Sequence, residues 1–464
     1  MSYTDISEIV LHGEKYAGTK VRVAGWVRTA RDSKTMAFLA LNDGTSLKHL
    51  QIVIDKSKFS SDELAPCLKN GVSVEAEGEV VAAVAAGSGF EINAEALSLI
   101  GDCPSDYPLQ KKYHSMEFLR TVPHLRVRTN TFNAMLRVRS KVSFALHRFF
   151  QERGYTYIHT PIITGSDCEG AGEIFRVTTN GYEEAKTAAD EAEYIARDFF
   201  RRKAGLTVSG QLEGEVAAMA MGKIYTFGPT FRAENSNTPR HAAEFWQIEP
   251  EVAFAKLPDI IKIAESMIKY VIGAVLDECP DEIDFFEKAF EKGLRAKLEA
   301  VVSSDFAVLD YTDAIELLKK ADEKFAYPVE WGLDLQTEHE RYLTEKVLGK
   351  PVFVTNYPKK IKSFYMKQNP DGRTVAATDL LVPGVGEIIG CSEREADYDK
   401  LLEAMTERGM NLDDYKGYME LRKYCTVPHS GFGLGLERIL MYVTGIGNIR
   451  DVQLYSRTAG DLMA

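Results

Sequence analysis

Residues 231 to 245 read Phe231-Arg232-Ala233-Glu234-Asn235-Ser236-Asn237-Thr238-Pro239-Arg240-His241-Ala242-Ala243-Glu244-Phe245. The flanking runs KIYTFGPTF (223–231) and EFWQIEPEVAF (244–254) are rich in aromatic and β-branched residues, so the pattern predicts two antiparallel strands around a Pro-containing loop. Alternate residues of a strand share a face, which points Arg232 and Glu234 together and lets Phe245 lie on the partner strand. A guanidinium beside an aromatic plate suits a nucleoside triphosphate, with charge for phosphate and a flat apolar surface for the base. The same residues also suit a surface hairpin laced with salt bridges.

Two later segments bear on that choice. Gly431-Phe432-Gly433-Leu434-Gly435-Leu436-Glu437-Arg438 puts three glycines at alternate positions before a helix that contains Arg438. One strand face is therefore bare, and a flat ligand can approach it closely. From Asp379 through Glu387 to Arg394, two carboxylates flank Pro383 and several glycines. Carboxylates completed by phosphate oxygens are the usual seat of Mg²⁺, although an ordinary β-turn has the same composition. Neither a GxxxxGK[ST] nor a GxGxxG loop occurs, so any ATP must be held by another architecture.

Toward the N-terminus, five short alternating runs lie between Lys20 and Leu99, with turns at Gly25, Gly44, Gly71, Gly78 and Gly87-Ser88-Gly89. They predict a small closed barrel of the OB type. Pro104, Pro108 and Pro123 then mark an extended linker. The expected domains are a barrel over 1–100, a hinge over 101–128 and a larger domain over 129–464. In the last, apolar residues recur at helical spacing from Phe132 to Phe150, LTVSGQL (206–212) reads as a strand, 258–324 reads as a helical insertion, and strands return at PVFVTN and SFYMKQ. The expected fold class is α+β, with an antiparallel sheet flanked by helices.

The chain has 464 residues and a net charge of −12 (56 basic, 68 acidic). Net charge therefore does not drive it onto nucleic acid, and a polyanion must meet a local patch. Such patches exist. Residues 20–50 carry Lys20, Arg22, Arg28, Arg31, Lys34 and Lys48 against Asp32 and Asp43, a local +4, and residues 110–153 carry a local +8. One structured RNA, rather than DNA at large, is the partner that distribution suits, and solvated surface charge is the other reading of the same residues. The longest apolar run, Val80–Ala86, is far short of the ~20 residues of a membrane helix. Six scattered cysteines without a CxxC pair read as reduced thiols of a cytoplasmic protein.

The order and wording of these segments resemble the class II aminoacyl-tRNA synthetases. FRAE with the RHxxEF ending is similar to their motif 2, GLGLER to motif 3, and the long helix ending in Tyr157-Ile158-His159-Thr160-Pro161 to motif 1, whose proline lies at a homodimer interface. A barrel joined by a basic hinge resembles the aspartate, asparagine and lysine subgroup, and RAENSNTPRHAAEFW with Val208-Ser209-Gly210-Gln211-Leu212 is worded as in its asparagine members. The resemblance implies ATP-dependent activation of asparagine and its transfer to the 3′-hydroxyl of tRNA(Asn).

It also implies roles for single residues. Arg232 matches the grip on the α-phosphate and the attacking carboxylate, with Glu234 beside it; His241 and Arg438 match γ-phosphate contacts, and Phe245 the plate under adenine. Asp379 and Glu387 match Mg²⁺ ligands, Glu169 and Gln211 the binders of the substrate amino group, and Arg394 the arginine that meets the side-chain oxygen. Arg28, Phe38 and Gln51 match anticodon-binding positions, with barrel core as the other reading of Phe38, and Pro161 marks the dimer interface. Aspartyl members have a lysine near position 214. Here Glu215 follows Gly214 instead, and a carboxylate accepts from an amide NH₂ while repelling a second carboxylate. Glu213 is the ambiguous neighbour. The rival expectations are an aspartyl enzyme, a tRNA-independent asparagine synthetase, and a single-strand-binding protein with an inactive synthetase domain.

Overall fold

The computed structural model describes residues 3–83, 89–169, 173–236 and 238–462. Part of the Gly87-Ser88-Gly89 turn and the end of the Val80–Ala86 run lie outside them, as does Asn237. The chain divides into two compact units, Met1–Ala134 and Met135–Ala464.

In the first unit five strands close a barrel in the order β1-β2-β3-β5-β4: β1 (Lys20–Asp32), β2 (Met36–Asn42), β3 (Leu50–Asp55), β4 (Ser73–Ala82) and β5 (Phe90–Gly101). The period-two pattern turns Val21, Val23, Ala37, Leu39, Leu41, Ile52, Ile54, Val74 and Ile92 inward, where they form one core. Truncating a fully buried member such as Leu39 to alanine would cost about 2–5 kcal/mol. A helix over Ile6–Tyr16 adds Ile6 and Ile9 to that core. Between β3 and β4, Ser60 and Glu63 form a capping box that starts the helix Ser61–Cys67. The hinge is less extended than its prolines suggest. It contains helices Met116–Thr121, capped by Ser115, and Pro123–Arg126, with Pro123 in the first turn where a missing N–H costs nothing.

In the second unit eight strands make one sheet in the order β11-β12-β13-β14-β15-β10-β9-β6. These are β6 (Thr156–Tyr157), β9 (Lys223–Phe231), β10 (Glu244–Ala253), β11 (Ala307–Asp310), β12 (Val352–Thr355), β13 (Ala377–Val382), β14 (Gly386–Glu393) and β15 (His429–Gly435); β7 (Ile163–Thr164) and β8 (Gly205–Leu206) form a separate pair. The centre is antiparallel as expected, but the pairs β11–β12 and β6–β9 are parallel. Helical crossovers deliver those strands, and a crossover brings a strand back in the same direction.

The helix Asn130–Gln151 forms as its periodicity predicts, burying Met135, Val138, Val142, Leu146, Phe149 and Phe150. The segment 258–324 holds helices Leu257–Glu278, Pro280–Ala289, Leu294–Ser303 and Tyr311–Lys319, interrupted by β11. Two strand expectations fail. SFYMKQ makes only isolated bridges, Met366 to Arg394 and Gln368 to Val375. Beyond β8, the stretch expected as strand and turn becomes the helix Gln211–Met221, whose alanine and methionine content favours helix. Among the described residues no helix is long and apolar enough to cross a membrane.

Candidate active site

The central strands build one cavity of about 330 Å³. Register explains why the three segments meet. Thr230 pairs with Phe245 across β9–β10, Gln247 with Gly435 and Glu251 with Gly431 across β10–β15, Gly390 with Gly433 across β14–β15, and Asp379 with Gly390 across β13–β14. Arg232, Glu234, His241, Phe245, Asp379, Glu387, Arg394, Arg438, Glu169 and Gln211 all line it.

At one end the Arg232 guanidinium lies 5.3 Å from the Phe245 ring centre and donates from Nη2 to Glu169 Oε1 at 2.5 Å. Its Nε is buried without a hydrogen-bond partner among the described residues. A buried donor in that state awaits an acceptor. Arg438 donates from Nη1 to the Glu387 carbonyl at 2.9 Å and to its Oε2 at 3.3 Å. Burial pushes the His241 imidazole down; Glu234 opposes this, and Arg438, Arg232 and Arg240 add to it. Burial likewise pushes the Glu169 carboxyl up, against the pull of Arg232.

Asp379 and Glu387 converge over Gly390, where a Cβ would lie 3.4 Å from Glu387 Oε1 and 3.8 Å from Asp379 Oδ1. Lys362 Nζ sits 2.5 Å from Asp379 Oδ2 and 3.9 Å from the Tyr357 ring centre. Burial raises the Asp379 carboxyl and the charge of Glu387 adds to this, while Lys362 opposes it. Burial acts in the same direction on Glu387, but Arg438, Lys362 and Arg232 outweigh it and hold that carboxyl below its ordinary range. Two converging carboxylates above a bare backbone, with room for phosphate and water oxygens, fit a divalent cation of the Mg²⁺ type.

The other end departs from expectation. Glu215 does not line the cavity. It is fully buried on the helix Gln211–Met221, and its two oxygens meet Gln211 Nε2 at 2.9 Å, Tyr418 OH at 2.9 Å, Arg422 Nη2 at 2.6 Å and His429 Nε2 at 2.9 Å. Burial opposes its charge, yet Arg422, His429 and Arg394 hold the carboxyl far below its ordinary range. Glu213, on the same helix, is also absent from the lining. The acid that reaches the cavity here is Glu251, which accepts from Arg394 Nε at 3.2 Å and Nη2 at 2.5 Å, while Arg394 Nη1 donates to Ser392 Oγ at 2.6 Å. Burial pushes the Glu251 carboxyl up, and Glu215 adds to that against Arg394. Helical geometry explains the correction: residue 215 stands one turn beyond Gln211 and beneath it, not beside it on a strand.

Sequence reading missed Glu251, Lys362, Arg422, His429 and Tyr418. For Glu251 a signal existed, since Gln247, Glu249 and Glu251 alternate along β10 and all line the cavity.

In the barrel, Ala37, Leu39 and Leu41 face the core, so Phe38 faces outward, as does Gln51 beside Leu50 and Ile52. Gln51 Nε2 donates to Glu91 at 2.7 Å. Arg28 turns instead to the hinge, donating to the Arg128 carbonyl and, at 2.9 Å, to Asn130 Oδ1.

The chain matches the family model described as tRNA synthetases class II (D, K and N) over residues 115–459, and an OB-fold nucleic acid binding domain over residues 21–100. It belongs to the class II tRNA synthetases. This class II synthetase is 54% identical over 458 residues to a protein of Acetivibrio thermocellus named asparagine--tRNA ligase, covering 99% of each chain, and 54% identical over 460 residues to one of the same name from Clostridium tetani, again 99% of each. Its fold superimposes with a TM-score of 0.87 and 34% identity on the asparaginyl-tRNA synthetase of Pyrococcus horikoshii complexed with asparaginyl-adenylate, covering 100% of both chains. An aspartyl tRNA synthetase from Entamoeba histolytica shares the fold at a TM-score of 0.77 and 23% identity.

Proposed function

We propose that the chain is an asparagine–tRNA ligase, which activates asparagine with ATP and passes it to the 3′-hydroxyl of tRNA(Asn). The observation that carries this reading is the pairing of two unlike ends in one cavity. Arg232 over Phe245 is equipped for a nucleotide, and Arg394 beside Glu251 for a small polar side chain. An asparagine side chain offers an oxygen to Arg394 and an NH₂ to Glu251. An aspartate would bring a second carboxylate against Glu251, and sites built on such polar matching can discriminate about 10⁴-fold or more. This disfavours the aspartyl reading.

Phe245 stacks under the adenine, and Arg232 Nε with Arg438 offsets charge on the phosphates as the substrate carboxylate attacks. Asp379 and Glu387 would hold Mg²⁺, which supplies positive charge to the leaving pyrophosphate when bound. Gln211 Oε1 accepts from the substrate ammonium, since its Nε2 is already given to Glu215, and Glu169 shares that role. No side chain forms a covalent bond in either step; positioning and electrostatics carry both.

The outward Phe38 and Gln51 suit contact with splayed anticodon bases. Phe144 on the helix Asn130–Gln151, and Ile162 and Ile163 directly after Pro161, are exposed at 61%, 42% and 44%, apolar side chains that suit burial in a homodimer. Light scattering should return about twice the 51.8 kDa chain mass. The cysteines are all unpaired among the described residues, which suits a reducing, cytoplasmic setting. Pyrophosphate exchange run separately with asparagine, aspartate and lysine tests the reading: asparagine alone should support it, and an equal rate with aspartate would overturn the choice of amino acid.

A further inference from the structure

Away from the active cavity, a second hollow of about 230 Å³ is lined by Thr164, Ser166, Phe200, Arg202, Lys203 and Asp414, among others. Beside it, Phe199 and Phe200 are 74% and 46% exposed, with ring centres 4.8 Å apart. Three consecutive cations follow. Arg201 sits at a left-handed φ of 51°, a conformation that disfavours any residue but glycine or asparagine, and has no carboxylate partner among the described residues. The Arg202 guanidinium lies flat over Gly165, since a Cβ there would be 3.4 Å from its Cζ, Nε and Nη2 alike. Its bond to Asp414 and that of Lys203 to Glu191, at 3.0 and 2.9 Å, are solvent-exposed pairs. Such pairs contribute little and exchange readily for another anion.

Aromatic faces that stack on anything flat, set beside cations that track a backbone, are the equipment of single-strand nucleic-acid binding. Position decides which strand. Ser209 lines the active cavity, and at most roughly 20 Å of chain separates it from Lys203 and at most roughly 35 Å from Phe199, so the patch lies within a few nucleotides' reach of the cavity lining. The bonds from Leu206 N to Phe175 O and from Thr207 N to Ile162 O fix that stretch to its neighbours.

We infer that Phe199, Phe200 and Arg201–Lys203 bind the unpaired 3′-terminal nucleotides of the tRNA as they enter the active cavity, an inference that rests on the proposed function. Bases stack on the two phenylalanines, and phosphates displace Asp414 and Glu191 from Arg202 and Lys203.

The test compares wild type with Phe199→Ala/Phe200→Ala and with Arg201→Gln, using full-length tRNA(Asn) transcript and the same transcript without its 3′-terminal unpaired nucleotides. The double variant should bind the full transcript roughly five- to a hundred-fold more weakly, from the loss of one base stack or more. It should bind the shortened one as wild type does, and keep asparagine-dependent pyrophosphate exchange. Arg201→Gln should lower the salt dependence of binding by about one counterion. Equal losses on both transcripts, unchanged affinity, or a loss of pyrophosphate exchange would each overturn the inference. So would a halved mass in light scattering, which would assign the patch to a second copy. If wild type itself shows no asparagine-dependent exchange, the proposed function fails instead.

Discussion

At the nucleotide end of the cavity, charges stand partly unanswered: Arg232 keeps a buried Nε without an acceptor among the described residues, and the carboxylates of Asp379 and Glu387, paired with Lys362 and Arg438, converge above Gly390. At the amino-acid end the carboxylates are more fully answered, although Arg422 Nη1 is likewise buried without a partner among the described residues. Glu215 receives four protein donors, and Arg394 is spent on Glu251 and Ser392. The first arrangement stores electrostatic capacity for a ligand that brings its own strong charge. The second spends that capacity internally and leaves a rigid template, which is what telling two nearly isosteric side chains apart requires.

If that contrast is right, the two ends should fail differently. Removing the Glu215 carboxylate by Glu215→Ala leaves Arg422 and His429 buried and uncompensated, and should destabilise the fold by about 3–5 kcal/mol in urea unfolding. Unchanged stability would mean that the network is not structural. Arg232→Ala should leave the unfolding midpoint nearly in place and slow asparagine-dependent pyrophosphate exchange by about 3–4 kcal/mol of barrier, the scale of a lost charge-stabilising donor. An exchange rate equal to wild type would break the comparison at its other end.

Glu340, buried beside Arg240 and accepting from the Glu387 N–H at 3.3 Å, tests the nucleotide end in another way. Burial and the charge of Glu387 push its carboxyl up to about 7 from an ordinary 4.5, against Arg240. The native state then holds a proton that the unfolded chain has already released. Stability should therefore fall as pH rises from about 4.5 to about 7 and level off above, by up to about 3 kcal/mol. Glu340→Gln cannot ionise, so it should lack that slope and gain stability relative to wild type at pH 8. A parallel pair of stability–pH curves would refute the shift. The smallest effect belongs to Phe38→Ala, a control in the barrel. It should weaken tRNA charging by about 1–3 kcal/mol and spare pyrophosphate exchange. Equal losses in both half-reactions would mark Phe38 as part of the barrel's structural support.

Strand and helix periodicity made the barrel, the long helix Asn130–Gln151 and the hairpin around residues 232–243 legible, because each buries one face and so must repeat in the chain. The nucleotide end was legible for a related reason: its residues are neighbours in sequence or lie within short motifs. The amino-acid end was not. Glu215, Tyr418, Arg422 and His429 meet from segments some 200 residues apart, and no local pattern announces a carboxylate whose partners arrive from elsewhere. Reading 208–215 as strand and turn turned Glu215 toward the substrate; the helix that forms instead turns it away. The parallel edges of the sheet were equally hidden, since strand direction depends on the length and path of the crossover.

Gly431 carries no functional group, yet a Cβ on it would fall 2.1 Å from Glu251 Oε1 and within 2.3 Å of both remaining carboxyl atoms. Glu251 can lie across the neighbouring strand only because that place is vacant. A single methyl at 431 would evict the carboxylate, release Arg394 from its bidentate partner and leave a cationic pocket that welcomes the acid over the amide. On the proposed reading of Glu251, substrate choice would then rest on an atom that is missing. A survey of tolerated substitutions should find position 431 as restrictive as any charged residue of the cavity, and suppressors of such a change, short of restoring glycine, should fall on β10.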